Sequence, residues 1–204
     1  MDEIINFTNS RDYYGRIDLK SLNFNAFKFQ LTIDIIIHDD IEDYKYERKI
    51  IANNVLAYEN FNRVTLLPYK KINIYNNHSL INKFTEQEYV IKLNKGPNNQ
   101  YNFLGKLHSL LEKKSYHWLQ LKDLFWNIDN QLTKSTKVRI PKYLIKDFSE
   151  LCIHENILIE IEEIIQSQHS DLKLLMIGNE IVSPDNYSFR QPYILAKTFS
   201  IIKK

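Results

Sequence analysis

Apolar and polar side chains alternate along Phe27-Lys28-Phe29-Gln30-Leu31-Thr32-Ile33-Asp34-Ile35-Ile36-Ile37, which ends in the acidic turn His38-Asp39-Asp40. A period of two sends successive side chains to opposite faces, so this segment is expected to be a half-buried strand. Residues 43–51 alternate again, with Asp43, Lys45, Glu47 and Lys49 on one face and Tyr44, Tyr46 and Arg48 on the other. The short Ile41-Glu42 connection predicts a hairpin between the two. Further strands are expected around 63–67, 71–75 and 89–93. Lys95-Gly96-Pro97-Asn98-Asn99 is the strongest turn cluster in the chain and the natural place for a domain boundary.

Beyond it the period changes from 2 to 3.6. Leu104, Leu107, Leu110 and Leu111, then Leu121, Leu124, Phe125, Ile128 and Leu132, predict two amphipathic helices separated near 115–118. After the polar stretch Thr133-Lys134-Ser135-Thr136-Lys137, Pro141 suits the first position of a third helix. Its apolar face would be Leu144, Ile145, Phe148, Leu151 and Cys152. The run 157–165 fits a strand through 157, 159 and 161 and a helix through 157, 161, 164, 165 and 168. Its β-branched content favours the strand, with 166–170 as a hairpin tip leading into a second apolar run, 172–177. Gly178-Asn179 is a candidate two-residue turn after that.

Three helices followed by a β-hairpin is the order of a winged helix-turn-helix. Tyr143-Leu144-Ile145-Lys146-Asp147-Phe148-Ser149-Glu150-Leu151-Cys152 and the following Ile153–Glu160 stretch resemble a recognition helix running into a first wing strand. The expected fold class is therefore α+β. A β-rich domain over 1–100 would precede a winged-helix-like helical domain over 101–204 with a C-terminal β-hairpin.

Composition excludes several classes. The 204 residues are 44% hydrophobic and 25% charged, as in ordinary globular proteins. The single cysteine, Cys152, allows no internal disulfide. No apolar stretch approaches membrane-spanning length, and Met1-Asp2-Glu3 is acidic where a signal peptide is basic, so a cytoplasmic location and no membrane partner are expected. The formal net charge of +2 is too small to argue for nucleic acid by itself.

Local clustering carries that argument instead. Lys134, Lys137, Arg139, Lys142 and Lys146 occur with no acid between Asn130 and Lys146. In a winged-helix frame they would meet phosphates at the start of the third helix. Against this, Glu160, Glu162 and Glu163 would make an acidic wing that suits a basic protein partner. Two constellations could hold a metal. His38 and Asp40, spaced by two, with His78 as a distant third ligand, match an iron-binding pattern. Asp34 with Glu47 and Lys49 matches a metal-dependent nuclease spacing, though alternating charge on an exposed strand explains it more simply. Cys152 and His154 lie about 200° apart on a helix and cannot pair as nucleophile and base. Four scattered glycines form no phosphate loop.

The expected role is non-enzymatic binding without a cofactor. One form is a regulator or accessory factor that contacts DNA or RNA through the winged helix while the N-terminal half holds a protein partner. The alternative is a protein-binding adaptor or inhibitor with no nucleic-acid contact, of the kind found in bacterial or phage conflict systems. A metal-dependent enzyme built on His38, Asp40 and His78, or on Asp34, Glu47 and Lys49, comes third.

Overall fold

A computed structural model describes residues 2–61, 68–116, 118–125, 132, 136–167, 169–178 and 191–204. The chain forms two compact units, one of residues 1–81 with 171–204 and one of residues 82–170. Strand accounts for 46% of the described residues and helix for 27%. No described helix is long and apolar enough to cross a membrane.

The first unit begins with α1 (Asp2–Asn9), followed by β1 (Gly15–Asn25), β2 (Gln30–Asp39), β3 (Tyr44–Glu59) and β4 (Lys71–Tyr75). The chain returns to it for β8 (Lys173–Gly178) and β9 (Tyr193–Lys203). These strands form one antiparallel sheet in the order β1-β2-β3-β9-β8-β4. Its two edges meet where Ile17 N donates to Tyr69 O at 2.6 Å, so the sheet curls around its own core. The period-2 pattern decides what goes inside. Leu31, Ile33, Ile35 and Ile37 of β2 are all buried, with Ile17, Ile50, Ala52, Ile72, Leu175 and Ile177. Gly15 is required where β1 meets β2, because a Cβ there would overlap the His38 carbonyl. The β4 edge is covered by α1. Asn9 Nδ2 donates to Ile72 O at 2.9 Å, and Ile72 N donates to Thr8 Oγ1 at 3.4 Å.

The second unit carries β5 (Glu88–Leu93), α3 (Gln100–Ser115), the single turn α4 (Leu121–Leu124), β6 (Lys137–Pro141), α5 (Ile145–His154) and β7 (Ile159–Ile165). A helix α2 (Ser79–Thr85) precedes them. The sheet is antiparallel, ordered β6-β5-β7, and one face packs on the helices. That core holds Ile91, Leu93, Phe103, Leu107, Val138, Ile140, Phe148 and Cys152. Asn99 caps α3 by accepting from Asn102 N at 3.0 Å.

This architecture overturns the expected fold class. Residues 101–204 are not a helical half, and among the described residues three helices followed by a hairpin do not occur. Lys137–Pro141, read as a loop and helix start, is instead β6, and Pro141 ends that strand, capping the 3₁₀ turn Lys142–Leu144 ahead of α5. The expected hairpin of 157–165 with 171–177 does not form. Residues Ile159–Ile165 are a strand, but its partner is β5, with Leu93 opposite Ile159 and Tyr89 opposite Ile164. Residues Lys173–Gly178 belong to the other sheet, between β4 and β9. A strand's alternation specifies which face is buried and leaves its partner open, which is why the pattern was compatible with a wing. The helix expected over 121–132 is described only as Leu121–Leu124, after which Phe125 bridges to Val138. The strand expected at 63–67, and Asn179 of the candidate turn, lie outside the described residues. The Lys95–Asn99 turn, the expected boundary, connects β5 to α3, both in the second unit.

Candidate functional site

The basic stretch sits among carboxylates. Lys137 and Arg139 alternate with the core residues Val138 and Ile140, so both project from the sheet face opposite the helices. There Glu162 of β7 takes Lys137 Nζ at 2.6 Å and Lys92 Nζ at 3.9 Å. Arg139 Nη1 lies 4.0 Å from Glu88 Oε2. Lys142 is exposed in the 3₁₀ turn, and Lys146 lies 4.0 Å from Glu150 on the exposed face of α5. Lys134 lies outside the described residues. The four described cations are thus spread over three elements, and three of them have a carboxylate neighbour.

At one end of this face is a cleft of about 380 Å³, lined by Lys83, Glu86, Glu88, Asp123, Arg139 and His169 among others. Its walls are pinned. Lys83 Nζ binds Asp123 Oδ1 at 2.9 Å, and Asp123 Oδ2 accepts from Gln120 N at 2.8 Å. Glu86 accepts from Tyr143 N at 3.1 Å, and Ser167 Oγ donates to Phe84 O at 2.7 Å. Burial and then the Glu86 charge push the Tyr143 hydroxyl up to about 12, so it stays protonated. Among the described lining residues, Glu86, Glu88 and Asp123 stand against Lys83 and Arg139 as permanent cations, an excess of negative charge. Sequence reasoning missed Lys83 on α2, Glu86 in the bend after it and Asp123 on α4, which no motif spacing links.

β7 is the terminal strand of its sheet, and its two faces differ. Ile161 stands opposite the buried Ile91 and Ile164 opposite Tyr89, on the side of the core, yet they are 51% and 50% exposed. Glu160 lies opposite Lys92 and Glu163 opposite Val90, on the charged side, and the register shifts between Ile161 and Glu163. Ile153 and Leu158, just ahead of the strand, are also exposed. Among the described residues no backbone hydrogen bond covers the outer edge of β7.

The metal constellations separate. His38 Nε2 donates to Asp18 Oδ2 at 2.8 Å, not to Asp40. Asp40 follows the end of β2, while His78 Nδ1 accepts from Leu80 N at 3.1 Å. Among the described residues no three His, Cys, Asp or Glu side chains are placed to hold a metal. Asp34 and Lys49 are opposite one another on β2 and β3, with Glu47 two residues along β3 on the same outer face. Asp34 is taken up by cations and a hydroxyl: Ser21 Oγ donates at 2.7 Å, Lys204 Nζ lies at 3.1 Å and Lys49 Nζ at 4.0 Å. The Ser21 and Lys204 hydrogen bonds hold its carboxyl below the usual range. Cys152 is a core residue whose thiol is pushed up to about 12 by burial alone.

No family model, curated protein or solved structure matches the chain.

Proposed function

We propose that the protein is a non-enzymatic adaptor whose second unit binds a protein segment by adding it as a strand to β7. The observation that carries this reading is the amphipathic outer edge of β7, with half-exposed Ile161 and Ile164 on one face and Glu160 and Glu163 on the other. An added strand gains backbone hydrogen bonds along the edge and buries both isoleucines. The partner chemistry follows from the charges: apolar residues on one side, Lys or Arg on the other. A second copy of β7 fits poorly, because a two-fold pairing brings its glutamates together. The excess carboxylates of the neighbouring cleft favour the same cationic partner. The ion pairs of Lys137, Arg139 and Lys146 support this reading over a basic patch for duplex DNA, since paired cations release fewer phosphate counterions.

A labelled nine-residue peptide of alternating Val and Lys tests the reading by fluorescence anisotropy. It is expected to bind the full chain, and its Val/Glu counterpart is expected not to. Ile161→Lys with Ile164→Lys should weaken binding at least tenfold while changing stability by less than about 0.5 kcal/mol, as for other exposed positions. Equal binding of the two peptides, or an unaffected double variant, would overturn the proposal.

A further inference from the structure

The hairpin between β1 and β2 carries a second unassigned surface. Between Asp18 and Asp34 the sequence has no acid, and its only charges are Lys20 and Lys28. The adjoining part of β3, residues 50–58, has no charge at all. At the tip, Phe27 is 99% exposed and Phe29 is 60% exposed. A single exposed apolar residue means little, but two in one four-residue turn, with a lysine between them, are unusual. Phe29 also has φ 47°, a left-handed conformation that a bulky side chain rarely adopts. The turn is nevertheless tied down. Lys28 N donates to Asn25 Oδ1 at 3.1 Å, and Phe29 O accepts from Val55 N at 2.8 Å. Both rings are thus presented on a fixed frame.

Behind the tip the outer face of the sheet is a ladder of neutral hydrogen-bonding groups. Asn25 stands opposite Gln30, Gln30 opposite Asn53 and Asn53 opposite Thr198, a row across four strands. Gln30 Nε2 donates to Asn53 Oδ1 at 2.7 Å, and Asn53 Nδ2 donates to Thr198 Oγ1 at 3.3 Å. Asn23 opposite Thr32 starts the next row.

From this juxtaposition we infer that the β1–β2 hairpin binds single-stranded nucleic acid, with bases stacked on Phe27 and Phe29, Lys28 on a phosphate and the amide ladder along base edges. Each component has a matching partner. Exposed rings on a rigid turn stack on bases of any sequence. Amides offer both donors and acceptors to unpaired base edges. The acid-free surround leaves the phosphates unopposed. A lipid surface fits less well, because entering it would desolvate Asn23, Asn25, Gln30 and Asn53 with no new hydrogen bonds. A duplex hides the base faces that the two rings need. The inference does not depend on strand addition at β7, which uses other residues.

The test uses the full chain with fluorescein-labelled fifteen-nucleotide dT and rU, a duplex of equal length, and phosphatidylglycerol vesicles. At least one single strand is expected to bind in the micromolar range. Phe27→Ala should weaken it about tenfold, the cost of one lost stack. Phe27→Trp should restore binding and report it by fluorescence quenching. Because few phosphates are neutralised, the log–log salt slope should be shallow, about −1. Phe27 touches almost nothing, so an unchanged melting curve is expected for both variants. The inference fails if neither single strand binds, if Phe27→Ala binds like the parent, if the duplex binds as tightly, or if the vesicles alone are bound.

Discussion

Asp34 stands on the outer face of β2, directly opposite Lys49 of β3. Its carboxylate takes the Ser21 hydroxyl and the Lys204 and Lys49 ammonium groups, contacts that hold its folded-state pKa below the ordinary value. The sign of the pH effect follows. A depressed carboxyl stabilises the fold above its unfolded pKa of about 4 and loses that contribution as the pH falls through the folded value. Asp34→Asn should therefore be less stable than the parent near neutrality, and the gap in urea midpoint should close below about pH 4. A gap that persists in acid would mean the side chain acts by packing or hydrogen bonding independent of charge. The alternation of 27–37 and 43–51 made the Asp34–Lys49 opposition legible in the sequence, because both lie on the polar face of paired strands. Ser21 and Lys204 were not legible. One sits beside a break in the β1 register, and the other arrives from the far end of the chain.

At the scale of elements, unbroken patterns were legible as strands and helices and interrupted ones were not. Residues 71–75, 89–93 and 172–177 were expected as strands and lie in or within one residue of β4, β5 and β8. β1 went unread because its apolar residues change phase. Ile17 and Leu19 share a face, the register shifts between Leu19 and Ser21, and beyond the shift the exposed Leu22 and half-buried Phe24 stand opposite the buried Ile33 and Leu31. A bulge breaks the period on which such reading relies. β6 is only Lys137–Pro141, too short for its alternation to outweigh the polar flank. Helix α3 announced itself through Leu107 and Leu111, but its ending depends on a side chain. Ser115 Oγ donates to Leu111 O at 2.8 Å and accepts from Leu119 N at 3.2 Å, fully buried. Ser115→Ala strands that buried N–H and should cost about 1–3 kcal/mol in chemical denaturation. Tyr101→Ala, on the exposed side of the same helix, should stay within about 0.5 kcal/mol of the parent.

At the scale of the whole molecule, pairing was the hidden variable. Nothing local indicates that β9 enters the sheet between β3 and β8, with Asn53 bonded to Thr198 across 145 residues of chain. Equally, nothing in β7 itself says that it prefers β5 to the strand that follows it. The same topology sets an order of folding. Residues 82–170 are contiguous, so their sheet and helices can assemble without the chain ends. The β3–β9 ladder must close a loop containing that entire segment. Closing it is cheaper once the segment is compact, because a folded unit shortens the flexible loop. In pulse-labelled hydrogen exchange during refolding, the amides of Ile91 and Ile140 are therefore expected to be protected before those of Ala52 and Ala196. Leu107→Ala, which opens a cavity in the second core, should delay protection of Ala196 although that residue belongs to the other unit. Protection of Ala196 in the earliest phase, unaffected by Leu107→Ala, would show instead that the large sheet closes first around an unstructured segment.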